Sequence, residues 1–138
     1  SYIIGKTDHL TKSVSKQMKK GVIIIPGSGK YQLQPIFVED VAKIILKSIL
    51  EKKFSKKILD LVGPKKISFE DFVKLFSKNT KVKFKKINLR NAYDEGTYSS
   101  ESLDLLTGDY TSDVRHLQKL TSIKLTVVEK FLQPSSFS

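Results

Sequence analysis

The stretch Ile23–Phe76, IIIPGSGKYQLQPIFVEDVAKIILKSILEKKFSKKILDLVGPKKISFEDFVKLF, decides the fold. It reads as a strand, a Gly-rich turn, a second extended stretch, a long helix, a third strand and another helix. Val22 to Ile25 is an unbroken β-branched run, the pattern of a strand buried on both faces. Pro26-Gly27-Ser28-Gly29 is a turn by residue type. Tyr31 to Phe37 is extended, because Pro35 pushes the residue before it out of the helical region. In the helix that follows, Val38, Val41, Ala42, Ile45, Ile49 and Leu50 recur at helical spacing and predict one core-facing stripe. Glu39, Lys43, Lys47 and Glu51 fall on the other side as i,i+4 pairs of opposite sign. Glu39 and Asp40 suit the positive end of the helix dipole, and Lys52 and Lys53 suit its negative end. Ile58 to Val62 predicts a third strand, stopped by Gly63-Pro64. Ser68 caps the next helix, whose Phe69, Phe72, Val73 and Phe76 form an inward aromatic face.

Upstream, Ser1 to Ile4 is a short β-rich run. Thr7 or Asp8 caps a helix to about Lys20, with Leu10, Val14 and Met18 on its buried side and Gly21 as its terminator. Downstream, Val82 to Leu89 alternates apolar residues with lysines, as a half-exposed strand does. Asn91 to Ser100 reads as loop. Leu103, Leu105 and Leu106 mark a short helix, Asp113 caps another, and Thr126 caps the last. Pro134 to Ser138 reads as a frayed tail.

With 138 residues, the chain is large enough for one core, and the expectation is a single domain or fragment over 1–138. It has no cysteine, which excludes disulfides and thiolate chemistry. No run approaches the ~18 apolar residues of a membrane span. Net charge is +11, unevenly placed: residues 1–90 carry 21 Lys or Arg against 7 Asp or Glu, and the remainder carries 4 against 7. A lysine-rich half predicts weak, sequence-blind binding to polyanions. Arginine, the residue of bidentate base and phosphate recognition, is confined to Arg90 and Arg115.

The order PGSG, QPIFVEDVA, helix, ILDLVGP, ISFEDFVKLF resembles the C-terminal half of NAD(P)-binding short-chain dehydrogenase-like proteins. It is closest to the atypical and extended branch, with its sugar epimerases, dehydratases and an accessory subunit of respiratory complex I. Val38-Glu39-Asp40-Val41 resembles that branch's Val-x-Asp-Val at a helix start, and Leu61-Val62-Gly63-Pro64 its strand-end Gly-Pro. Ser1-Tyr2-Ile3-Ile4-Gly5 resembles the Pro-Ser-x-Ile-x-Gly segment after the catalytic helix, without its proline. The tail from Leu105 to Asp113 resembles that of the atypical branch. The core of the resemblance is 1–78, and 99–132 is a helical C-terminal part. The implied fold class is α/β: the substrate-side half of a Rossmann-type short-chain dehydrogenase-like fold, with short strands and several helices.

The resemblance implies a parent protein that binds NAD or NADP and acts on a small molecule such as a nucleotide sugar. It implies a nucleotide-binding half upstream of Ser1 and a cytoplasmic setting. Ser1 matches the serine near the nicotinamide end of the cofactor. Gly27, Gln34 and Asp40 are the substrate-pocket candidates; Asp40 also reads as helix N-terminal charge and Gln34 as a solvent-facing strand position. The branch's catalytic Tyr-x-x-x-Lys sits on a helix. Tyr2-Ile3-Ile4-Gly5-Lys6 matches that spacing, but its β-branched residues and Gly make a strand end, so no catalytic residue is assigned.

No G-x-G-x-x-G is present, and the chain alone is expected to bind neither NAD nor NADP. Gly27-Ser28-Gly29-Lys30 is too short for a phosphate-binding loop: Ile24 and Tyr31 break the pattern. His9 and His116 lie apart and no metal site is assigned. The function expected is the substrate-side region of an NAD(P)-dependent epimerase, dehydratase or reductase-like protein, inactive as the isolated chain. The alternative is a lysine-rich nucleic-acid-binding or scaffold module without catalysis. Tyr2, Ile3 and Ile4 are expected to form an unpaired apolar strand, so that residues 1–18 self-associate or are displaced.

Overall fold

The computed structural model describes residues 2–132. Three short ladders, each of two strands, carry the helices. β1 (Ile3–Ile4) lies parallel to β4 (Ile36–Phe37). β2 (Val22–Pro26) lies parallel to β6 (Lys83–Ile87), with Ile23 opposite Phe84 and Ile25 opposite Lys86. β3 (Gln32–Leu33) lies antiparallel to β5 (Ile67–Ser68). The helices are α1 (His9–Lys19), α2 (Val38–Leu50), α3 (Phe69–Phe76), α4 (Leu89–Asp94), α5 (Ser100–Leu106), α6 (Val114–Thr121) and α7 (Val128–Phe131), with a single 3-10 turn at Lys52–Phe54.

Local chemistry sets most helix starts. The Asp8 carboxylate accepts the N–H groups of both Thr11 and Gly5, at 2.9 and 3.0 Å. Ser68 Oγ accepts from Asp71 N at 3.0 Å, Asn88 from Asn91 N at 2.8 Å, and Asp113 from Arg115 N at 2.9 Å. Each such cap is worth about 1 kcal/mol. α2 has no side-chain cap; β4 runs directly into it, and Glu39 and Asp40 supply the negative charge its first turn favours.

The main core gathers Ile4, Leu10, Val14, Ile23, Ile25, Phe69, Phe72, Val73, Leu103 and Leu106. Phe69 and Phe72 are fully buried, each contributing roughly 1.5–3 kcal/mol by the area it removes from water. Tyr98 packs edge-on to Phe69 with ring centroids 6.0 Å apart. A second cluster joins Ile36, Val41 and Ile44 to Leu117 and Leu125. The backbone of Ile24 is satisfied by side chains: its N–H donates to Gln17 Oε1 at 2.7 Å and its carbonyl accepts from the Tyr98 hydroxyl at 2.8 Å. The edge of β2 away from β6 is thereby covered at its middle.

Five expectations are corrected. Ile58–Val62 forms no ladder: Leu59 and Leu61 pack by their side chains against the cluster of Ile36 and Ile44, and the backbone bond comes just beyond the segment, where Gly63 N–H donates to the Gln34 carbonyl at 3.0 Å. Asn91–Ser100 is not all loop: Asn88 caps α4. The last helix begins at Val128 with Val127 as its uncapped N-cap, not at Thr126, whose N–H is claimed elsewhere. Tyr2–Ile4 is not an unpaired strand: β4 pairs it, Ile4 is buried and Ile3 is half exposed. Of the predicted core stripe of α2, Val41 turns inward and Val38, Ala42, Ile45, Ile49 and Leu50 face outward. Val41 and Ile44 are buried, whereas Ile45 is 50 % exposed, Ile49 75 % and Leu50 72 %. α2 is apolar on two sides, and periodicity alone does not say which side meets the core. The tail Pro134–Ser138 lies outside the described residues.

Candidate functional site

The turn after β2 is held tightly. Gly27 and Gly29 both have positive φ, at 60° and 70°, the backbone region where a side chain is strained. Gly27 N–H donates to the Ile87 carbonyl at 2.8 Å, and a Cβ on Gly27 would press on Leu89 at 3.2 Å. The Gly29 carbonyl accepts from Glu70 N at 2.9 Å, which ties the turn to the first turn of α3. The Glu70 carboxylate takes Lys86 Nζ at 2.6 Å and Lys74 Nζ at 2.9 Å. These two hydrogen bonds, Lys86 first, pull its pKa down to about 2.

Gln34 is buried, with both ends of its amide engaged. Nε2 donates to the Gly63 carbonyl at 2.9 Å, and Oε1 accepts from Ser112 N at 2.8 Å. Ser112 Oγ donates in turn to Asp60 Oδ2 at 2.6 Å. Asp40 is 1 % exposed; Oδ2 accepts from Thr126 N at 2.6 Å and Oδ1 lies 3.3 Å from Lys43 Nζ. Burial of a carboxylate is tolerated when it is hydrogen-bonded and paired in this way. Gln34 and Asp40 thus fasten late segments of the chain onto β4 and the start of α2. Gly27 sits among Leu89 and Tyr31, and it shares none of these hydrogen-bond partners with Gln34 or Asp40. Ser1 lies outside the described residues.

The partners that sequence reading missed are Ser112, Thr126 and Gly63. They engage Gln34 and Asp40 through backbone atoms, which every residue type offers, so no motif marks them.

The residues of the Gly27–Gly29 turn do not fit a dinucleotide pyrophosphate. Such a group needs a Gly-rich turn opening into a helix N-terminus. This turn opens into β3, and its Gly29 carbonyl is already bonded to α3. Among the described residues no group of three or more His, Cys, Asp or Glu is placed to hold a metal ion. No helix among them is long and apolar enough to cross a membrane.

One surface is apolar and bare. Ile45, Leu46, Ile49 and Leu50 line the outward side of α2, and Ile58 beyond the 3-10 turn is 96 % exposed. A cleft of about 310 Å³ lies alongside, between Ile44, Ile45, Phe54, Leu59 and Leu61.

No family model matches the sequence, and a search of curated proteins finds no match. Solved structures do match in fold. The protein Pal of Bacillus thuringiensis aligns over 91 % of this chain and 39 % of its own, with a TM-score of 0.67 and 15 % identity. The triphenylmethane reductase of a Citrobacter species aligns over 91 % of this chain and 47 % of its own, at 0.68 and 14 %. A nucleoside-diphosphate-sugar epimerase of Staphylococcus aureus aligns over 95 % of this chain and 50 % of its own, at 0.67 and 18 %. The chain spans half or less of the length of each. At these identities the likeness is one of fold, and the fold is α/β, corresponding to part of a Rossmann-type structure.

Proposed function

We propose that this chain is the substrate-side region of an NAD(P)-dependent epimerase, dehydratase or reductase-like protein. Its partner is a nucleotide-binding half upstream of Ser1, and the substrate of the joined protein is a small molecule such as a nucleotide sugar. The observation that carries this reading is the outward apolar face of α2. A helix of a self-contained domain turns such a stripe inward, and contiguous exposed apolar surface marks a place where another body sits. Ile45, Ile49 and Leu50 await that body, while Val41 and Ile44 meet this chain's own core. Two further facts agree with it. Among the described residues β1 is paired on one edge only, and the structural relatives are at least twice the length aligned. In this reading the upstream half supplies the cofactor site and the catalytic tyrosine and lysine. Gly27, Gln34 and Asp40 shape the wall of the substrate pocket; for Gln34 and Asp40 this means fixing the backbone around it, since their own polar atoms are engaged.

The test is to express the reading frame with its upstream sequence and to titrate NADH and NADPH against it and against the 138-residue chain. The longer protein is expected to bind one of the two, and the short chain neither. Cofactor binding by the short chain, or an upstream sequence without a Gly-rich strand–helix turn, would overturn the reading.

A further inference from the structure

A groove of about 1110 Å³ lies between α1 and the C-terminal end of α3, away from the turn, Gln34 and Asp40. Five lysines line it: Lys6, Lys12, Lys16, Lys19 and Lys78. Lys12, Lys16 and Lys19 stand at i, i+4 and i+7, so α1 presents a row of like charges that repel one another. None of the five has an ion-pair partner among the described residues. The one carboxylate in the lining, Glu129, is shared with Lys65 at 3.5 Å. The groove also has apolar walls: Met18, Leu75 and Phe76 are half buried and Leu132 is buried. Asn79 and Thr80 add neutral hydrogen-bonding groups at one end.

A bare inorganic anion has no use for the apolar surface, and an apolar ligand has none for five cations. The volume of about 1110 Å³ slightly exceeds that of most small-molecule sites, which run to about 1,000 Å³. Lysine ammonium groups suit phosphate as mobile point charges. We propose that this groove binds an organic phosphate monoester, its phosphate among the lysines and its apolar body against Met18, Leu75 and Phe76. The site is independent of the α2 face and of the cofactor assignment above.

The experiment is calorimetric titration of the 138-residue chain at about pH 8, where a phosphate monoester carries close to two charges. The probes are 1-naphthyl phosphate and octyl phosphate, with inorganic phosphate as the bare-anion control. At least one ester is expected to bind at a single site about tenfold more tightly than inorganic phosphate, and the better of the two tells a ring from a chain. Lys16→Glu with Lys19→Glu is expected to weaken that ester about tenfold. Lys52→Glu with Lys56→Glu, the same charge change elsewhere on the surface, is expected to leave it unchanged. No binding of either ester, equal affinity for all three probes, or an equal loss in both double variants would overturn the proposal. So would a short DNA duplex that binds without being displaced by the better ester.

Discussion

Asp40 Oδ2 accepts the backbone N–H of Thr126 at 2.6 Å, joining the first turn of α2 to the segment that leads into α7. The carboxylate is almost wholly buried, so the bond is short and shielded from water. Asp40→Ala is expected to lose about 2–3 kcal/mol, the range for a hydrogen bond to a charged group plus an orphaned buried N–H. Asp40→Asn keeps an accepting oxygen and is expected to lose less. Urea unfolding of the two variants checks the order; an Ala variant as stable as wild type would remove this tie from the account.

Gly63 is enclosed by Gln34 and Pro35. A Cβ there would overlap the Pro35 carbonyl, a backbone atom that has no rotamer to adopt. Gly63→Ala is expected to cost more than about 3 kcal/mol or to prevent folding, since overpacking against fixed backbone is costly. Gly21→Ala is the comparison: it has positive φ but open space around it, so only the local strain of about 1 kcal/mol should appear. Thermal denaturation of the pair separates the two causes.

Stability at high pH should follow buried tyrosines. Burial raises the Tyr98 phenol to about 12, and burial together with the nearby Asp8 charge raises Tyr2 to about 12. The folded chain therefore holds these protons more tightly than the unfolded chain, whose tyrosines ionise near their ordinary 10.0. Their contribution is complete below about pH 10 and is lost as pH rises toward about 12. Melting temperature should fall over that window. Tyr98→Phe should flatten the fall while costing about 1 kcal/mol at neutral pH through the lost bond to the Ile24 carbonyl.

Ile49 is three-quarters exposed, so Ile49→Lys is expected to change the stability of the isolated chain by no more than about 0.5 kcal/mol. Ile44→Lys, five residues earlier and facing inward, is expected to unfold it, because it buries a charge without a partner. Circular dichroism melts of both variants decide which face of α2 is core. If Ile49→Lys proves as damaging as Ile44→Lys, the outward orientation of the stripe is wrong.

What could be read in advance was what depends on neighbours in sequence. Ser68, Asp8 and Asp113 announce helix starts because a cap acts within three residues, and the β-branched Val22–Ile25 run announces a buried strand. Strand partners were not legible, since β1 finds β4 and β2 finds β6 only through the closed fold. Ile58–Val62 has strand residues yet forms no ladder, which composition cannot reveal. The candidate site was legible as residue types and not as bonds. Gln34 and Asp40 were candidates through the family resemblance alone, and the groups that satisfy them are main-chain atoms of Gly63, Ser112 and Thr126. The lysine groove was legible only as an excess of charge, because most of its apolar half comes from α3 and from Leu132, far from α1 in sequence.

The Phe131 ring lies 4.8 Å from that of Phe37, at the junction of β4 and α2. Synthesis on the ribosome runs from the amino end, so β4 and α2 emerge long before the aromatic ring and the Thr126 amide that secure them. Contacts of such wide sequence separation close late, and until they do a nascent chain shows its apolar strands to whatever is nearby. β4 and the start of α2 thus wait on α7. In a cell, a stall or early stop shortly before Thr126 would release a chain with nearly every core residue present and the latch missing.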